Sequence, residues 1–272
     1  MDFAIDHDGR QFAFHTYSTE DAIARRMRKY GTFYERDLLD YSHALLTELP
    51  RGGIVVDIGA NFGNHSVFWA AYANRPVVSI EANPALQTYL QGNLTANAAA
   101  TQFQVIAGGA GEQSGLGRVR PAARAPDQFG LAQVESVDFV RAGEDGVFEV
   151  HPLPEWLRRA GVASEPVRLL KIDVEGAEIP VLTGAAAVLE RDRPEIFAEA
   201  ATDSERDALD AALRPWGYRR VKRFCSTPTW HYSTQSNPFT LFRWRRMGDV
   251  ARLNWRLAKL RHSVVSRLPR AS

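Results

Sequence analysis

A single cysteine, Cys225, stands among 272 residues. That excludes an intrachain disulfide and any CxxC-type metal site. A lone thiol suits a reducing compartment, and the expected location is the cytoplasm. No apolar run approaches the roughly 18 residues of a membrane span. Residues Met1–Asp8 have neither a basic n-region nor an apolar h-region, so no secretory signal is expected. Internal repeats are absent too. So is the G-x-G-x-x-G fingerprint of a dinucleotide site, which disfavours a nicotinamide-dependent oxidoreductase. Net charge is only +1, so the chain as a whole carries no strong electrostatic bias.

What is present points to one large α/β domain with short additions. Hydrophobic residues make up 45% of the chain, and a chain of this length buries roughly three quarters of its unfolded surface. The organising stretch is Ile54-Val55-Val56-Asp57-Ile58-Gly59-Ala60-Asn61-Phe62-Gly63. Its β-branched start reads as a buried parallel strand ending at Asp57. A glycine turn and an apolar helix from Asn64 to Tyr72 follow. Ligands in such sheets sit beyond the carboxyl ends of the strands, so the Asp57–Gly63 turn should floor a binding site. An acid at the strand end repels a diphosphate but suits S-adenosylmethionine, which has an α-amino group and no phosphate.

Pro76-Val77-Val78-Ser79-Ile80-Glu81 is the next strand. Glu81 follows Asp57 by 24 residues, close to the offset of an acid that grips two ribose hydroxyls. Asn83-Pro84 then opens a helix, and Phe103–Ala107 reads as the third strand. Ahead of the sheet, Asp8-Gly9 joins two short strands over residues 3–16. Helices near Ala22–Lys29 and Glu35–Leu49 complete an N-terminal cap, residues 1–50. The aromatic pair Phe33-Tyr34 suits packing or a lid. Residues 110–150, including Gly117–Arg120, Leu131–Val134 and Gly146–Val150, form a β-rich insertion in the main domain, 51–246. That insertion suits shaping of substrate access or, equally, an ordinary surface hairpin.

A second block, Val167–Glu178, carries an apolar strand ending at Asp173 and a helix starting around Ala177–Pro180. Asp173, Glu175 and Glu178 thus gather at one sheet edge. Glu178 has a plain role in complementing the helix dipole. Asp173 or Glu175 suits a base that takes a proton from a substrate hydroxyl, given burial that raises its pKa. Strand Glu195–Glu199 brings Glu199 to the same edge. Asp173 ranks first as base, then Glu175, with Glu199 and His231 behind. Three oxygens at one edge also suit Mg²⁺, a minority alternative.

V-V-D-I-G-A-N-F-G-N-H-S, I-E-A-N-P, L-K-I-D-V-E-G-A-E-I-P-V-L-T-G-A and R-P-E-I-F-A-E together resemble the FkbM-type methyltransferases. The resemblance runs from about Phe33 to Trp244. It implies a class I, Rossmann-like fold, a doubly wound and mostly parallel seven-stranded sheet with an antiparallel last strand. It also implies S-adenosylmethionine as cofactor, with Asp57, Gly59, Asn61 and Gly63 around the methionine moiety and Glu81 on the ribose. Asn83, beside Glu81, and Ala107, at the third strand's end, complete the expected cofactor contacts. Asp173, Glu175 and Glu199 are the expected catalytic residues.

Amino-group methyltransferases acting on nucleic-acid bases resemble one another in an N-P-P-Y or D-P-P-F block after the fourth strand. Here that place holds Asp173-Val174-Glu175-Gly176. The acceptor expected is therefore an oxygen, on a sugar, a polysaccharide or another polyhydroxylated metabolite, and no nucleic-acid partner is expected. A non-catalytic scaffold that kept the fold is the alternative.

Gly217–Val221 and Phe239–Trp244 read as the last two strands, with Thr229-Trp230-His231-Tyr232 offering aromatic faces to a sugar ring or to the core. From Met247 onward, Val250, Leu253, Leu257, Leu260, Val264 and Leu268 keep helical spacing. Residues 243–272 hold nine Lys/Arg against Asp249 alone. Their +8 leaves −7 on the rest of a chain whose net is +1. This basic amphipathic end, 247–272, suits packing on the body, an assembly partner, or the anionic inner face of a membrane.

Overall fold

Every residue of Ile54–Ile58 is buried, as a central strand covered on both faces requires. In the computed structural model, which describes residues 1–120, 133–137 and 146–265, this strand is β3. It follows β1 (Asp2–His7), β2 (Arg10–His15), α1 (Ala22–Tyr30) and α2 (Arg36–Glu48). Next come α3 (Asn64–Tyr72), β4 (Val77–Glu81), α4 (Pro84–Asn97) and β5 (Phe103–Ala107). Short strands β6 (Gly109–Ala110), β7 (Gly115–Arg120), β8 (Gln133–Val137) and β9 (Val147–His151) lead to α5 (Leu153–Arg159). The chain then runs through β10 (Val167–Ile172), α6 (Glu178–Gly184), α7 (Ala186–Asp192), β11 (Glu195–Glu199) and α8 (Asp203–Leu213). It closes with β12 (Arg219–Phe224), β13 (Thr229–Ser233) and α9 (Pro238–Val265).

Seven strands form one sheet in the order β12-β13-β11-β10-β3-β4-β5. Pairings from β11 to β5 are parallel, and β13 runs antiparallel to both its neighbours. The winding direction reverses between β3 and β10, which opens a crevice at the carboxyl ends of those strands. The expected doubly wound sheet, antiparallel last strand included, is therefore present.

Strand residues alternate between two cores. Ile54, Val56 and Ile58 join β10 and β11 in a layer closed by α5, α6, α7 and α8. Val55, Leu169 and Phe197 face the other layer, made by α2, α3, α4, the β1–β2 hairpin and the inner side of α9. Asp8 and Gly9 both take positive φ, the turn chemistry of a tight hairpin. That hairpin is riveted to α4 by Asn93 and Asn97, whose side chains bond the backbone of His15 and Ala13. The insertion after β5 is a separate four-stranded sheet, β6-β9-β7-β8. Of the strand-like stretch 131–134, residues 131 and 132 lie outside the described residues, as do 266–272.

One expected strand does not form. Phe239–Trp244 is not a strand but the opening of α9, and the last strand is Thr229–Ser233. The reason is local: the Asn237 side chain accepts the N–H of Phe239 at 2.9 Å and of Thr240 at 3.3 Å. With Pro238 as first helical residue this is a strong helix start. Helical spacing then carries Trp244, Gly248 and Ala251 inward. The terminal helix thus starts at Pro238, nine positions ahead of Met247.

Candidate active site

At the reversal point the tips of β3, β4, β10 and β11 surround a cavity of about 340 Å³, roofed by residues of α1 and of the α1–α2 link. Its floor is the β3–α3 turn. Gly59 has φ +78, and a Cβ there would stand 1.8 Å from the Asp173 carbonyl oxygen. Only glycine lets the β3 and β10 tips approach so closely. Asn61 also takes positive φ, 54, which turns its N–H toward Glu81.

Glu81 is nearly buried, at 6% exposure, and lines the cavity. Its Oε2 accepts the Asn61 N–H at 2.7 Å and its Oε1 the Asn83 N–H at 2.8 Å. Burial pushes its pKa up, while those N–H bonds and Lys171 pull it down. An ionised carboxylate has about four acceptor sites, so two remain for hydroxyl donors in the cavity. Asn83 also lines the wall, and its side chain caps α4 by accepting the Ala85 N–H at 3.1 Å.

Three of the expected cofactor contacts are placed elsewhere. Asp57 is fully buried within β3 and does not line the cavity. It faces Lys171 Nζ at 3.3 Å and accepts the Ser66 hydroxyl at 2.6 Å. The strand runs one residue past Asp57, so its side chain points into the layer beneath α3. Gly63 begins α3 with φ +99, packed against Leu90 and outside the cavity wall. Ala107 pairs with Glu81 but is exposed, and Gly108, Gly109 and Ala110 line the wall in its place.

Lys171 is the residue that motif reading passed over. It is 3% exposed, and its ammonium contacts Asp57 Oδ1 and Asp173 Oδ2, each at 3.3 Å, and the Gly59 carbonyl at 3.0 Å. Asp57 and Lys171 are register partners on adjacent parallel strands. The signal was a lysine inside an otherwise apolar strand, which has to find a buried acid. Burial opposes its charge, but Asp173 and Asp57 outweigh that and raise its pKa.

Asp173, Glu175 and Glu199 do converge, with one carboxylate oxygen from each lying within 4.8 Å of the others. Their environments separate them. For Asp173 burial favours the neutral form, but Lys171 and a hydrogen bond with Glu199 hold its pKa below the ordinary value. Glu199 is pushed up to about 10 by burial and by the Asp173 charge. Glu175 is raised to about 7, again by burial and then by Asp173. Its backbone takes φ 53, and Glu178 braces this turn by accepting the N–H groups of Val174 and Gly176 at 3.1 and 3.3 Å.

The roof brings in Tyr34, read from sequence as packing or lid, and two acids that carried no signal, Asp21 and Glu35. Of the aromatic pair, Phe33 is core and Tyr34 reaches the cavity, where its hydroxyl accepts from Arg26 at 3.0 Å. Glu35 lines it too, 3.1 Å from His65 on α3. His231, by contrast, is fully buried between Tyr41 (2.9 Å) and Glu195 (2.7 Å), outside the cavity and apart from the three carboxylates. Trp230 lines neither this cavity nor the groove beside it, and Arg220 covers its ring at 5.2 Å. Aromatic rings come instead from Tyr30, Tyr34 and Trp255, in a second groove that shares Arg26, Tyr34 and Glu35 with the first.

With this geometry stands a family match: residues 57–220 match the model described as the methyltransferase FkbM domain. The chain belongs to the FkbM methyltransferase family. Solved structures similar to this FkbM chain include methyltransferase FkbM from Methylobacillus flagellatus, at 20% identity and TM-score 0.46, over 69% of this chain. The chain spans 45% of that protein's length. Precorrin-6y C5,15-methyltransferase from Geobacter metallireducens is similar at 13% identity and TM-score 0.45, over 74% of this chain and 87% of that one. TYW2 from Pyrococcus horikoshii, solved in complex with MeSAdo, is similar at 13% identity and TM-score 0.44, over 85% and 69%. No curated protein matches the chain in sequence.

The cofactor of this fold and family is S-adenosylmethionine, and the residues present fit it. Six acids line the cavity, Asp21, Glu35, Glu81, Asp173, Glu175 and Glu199, against two permanent cations, Arg26 and Lys171. Such a wall favours a sulfonium and an ammonium and repels a diphosphate. Glu81 would take the ribose hydroxyls, and the turn from Gly59 to Asn61 would lie along the ligand.

Proposed function

We propose that this enzyme methylates a hydroxyl oxygen of a sugar, free or within a polysaccharide, or of another polyhydroxylated metabolite. The observation that carries this reading is the convergence of Asp173, Glu175 and Glu199 within 4.8 Å on the cavity wall, in surroundings that set their proton affinities apart. Bound S-adenosylmethionine supplies an electrophilic methyl group. The chain then has to orient an acceptor oxygen and take its proton.

Glu175, at about 7, is poised to accept that proton near neutral pH. Asp173 was the first choice from sequence, but Lys171 stabilises its charge and makes it the weaker base. Asp173 instead keeps the site anionic, which favours an imminent positive charge nearby. Glu199, at about 10, stays protonated at neutral pH and donates to Asp173. The second groove supports a polyhydroxylated acceptor. Beside the rings of Tyr30, Tyr34 and Trp255 it holds Arg26, Lys222, Arg223, Arg252, Arg256 and Lys259 against Glu35 and Asp37. Aromatic faces receive sugar rings, and this charge balance favours acceptors carrying a carboxylate or phosphate.

Labelled S-adenosylmethionine with a panel of neutral, uronate-bearing and phosphorylated sugars tests the reading. Transfer by the wild type should rise with pH through about 7 and level off above, because the base works when deprotonated. Glu175→Gln should cut transfer by roughly 10²–10⁴-fold and remove that pH rise, while cofactor affinity stays within about twofold. A variant as fast as wild type would refute Glu175 as base. A second reading, a divalent cation on Asp173, Glu175 and Glu199, is favoured by their 4.8 Å clustering. Loss of transfer in EDTA, restored by Mg²⁺, would select it.

A further inference from the structure

Large apolar side chains left in solvent are few among the described residues, and most share one address. Of eight such residues, six lie on α9: Phe239, Phe242, Val250, Leu253, Leu257 and Leu260, exposed by 44–71%. Their spacing is 3, 8, 3, 4 and 3, with Arg246 occupying the step between Phe242 and Val250. At 3.6 residues per turn this is a single stripe along the helix. It lies opposite the side that packs on the body, where Trp244 donates its indole N–H to Glu48 at 2.7 Å and Gly248 abuts Phe224. Packing on the sheet therefore leaves this second apolar side uncovered. A patch of that kind marks an interaction surface.

Charge decides what fits it. Arg245, Arg246 and Arg256 are exposed along the same helix, Arg243 is paired with Glu48 at 2.6 Å, and the one acid, Asp249, is paired with Lys222 at 2.5 Å. A second copy of the helix laid against the first would bring arginine against arginine, with no free acid to offset it. An anionic lipid surface satisfies both features at once: acyl chains take the stripe and headgroups take the guanidiniums. No helix among the described residues is long and apolar enough to cross a membrane, which fits a helix lying in the interface plane. We infer that the outer side of α9 docks this protein onto an anionic lipid surface.

The test is co-sedimentation of the full chain with vesicles of phosphatidylcholine alone or with 30% phosphatidylglycerol. Binding to the anionic vesicles should exceed that to the neutral ones by at least about tenfold and fall steeply in 0.5 M NaCl. Leu253→Glu with Leu257→Glu should abolish it while leaving affinity for S-adenosylhomocysteine unchanged; Arg246→Glu should weaken it several-fold. Three results would overturn the inference. One is no sedimentation with either vesicle, and another is equal binding to both. The third is a dimer by light scattering that the double leucine variant converts to monomer, since the stripe would then belong to a second copy.

Discussion

The most consequential single residue is Lys171, because it ties a buried strand to the reacting edge. Its ammonium touches Asp57, Asp173 and the Gly59 carbonyl. Removing one partner of a buried pair leaves an uncompensated charge, at a cost of about 3–5 kcal/mol. Lys171→Met should therefore destabilise by that order in urea unfolding. Adding Asp57→Asn, which neutralises the orphaned partner, should recover part of the loss. A Lys171→Met variant within about 1 kcal/mol of wild type would show that the triad matters little. Glu81, Asp173, Glu175 and Glu199 were legible from sequence, since each closes or follows an apolar strand that the fold brings to one edge. The role of Asp57 was not, because the strand runs on to Ile58 and turns that side chain under the sheet.

At the scale of elements, the β3–α3 turn sets the site's shape. Gly59→Ala places a methyl 1.8 Å from the Asp173 carbonyl, at φ +78. It should cost at least about 2 kcal/mol of stability and lower cofactor affinity by more than about tenfold, measured by thermal unfolding and calorimetry. An unchanged midpoint and affinity would contradict the close approach of the β3 and β10 tips. Strands with β-branched runs were readable because burial on both faces leaves no other solution. Phe239–Trp244 was misread because its residues also favour strands, while Asn237-Pro238 held the stronger local signal. Glu35 and Asp21 carried no mark, and Tyr34 only that of a packing or lid residue. They reach the cavity only because α1 and its link fold back over the sheet edge, a long-range event that local patterns do not encode.

At the scale of the whole molecule, charge is divided between compartments. An acid-rich cavity sits beside a cation-rich groove and a basic terminal helix, and the near-neutral total hides this division. The cavity's sign would favour a cationic cofactor over a diphosphate, and Glu81 on its wall would supply the directional contacts. Titration calorimetry with S-adenosylhomocysteine tests the Glu81 contact most directly, comparing wild type, Glu81→Gln and Glu81→Ala. Wild type should bind, and Glu81→Ala should weaken binding by at least about 100-fold, the loss of two hydrogen bonds to a charged group, with Glu81→Gln intermediate. Absence of heat with wild type, or an alanine variant within about twofold of it, would contradict the assignment of this cavity.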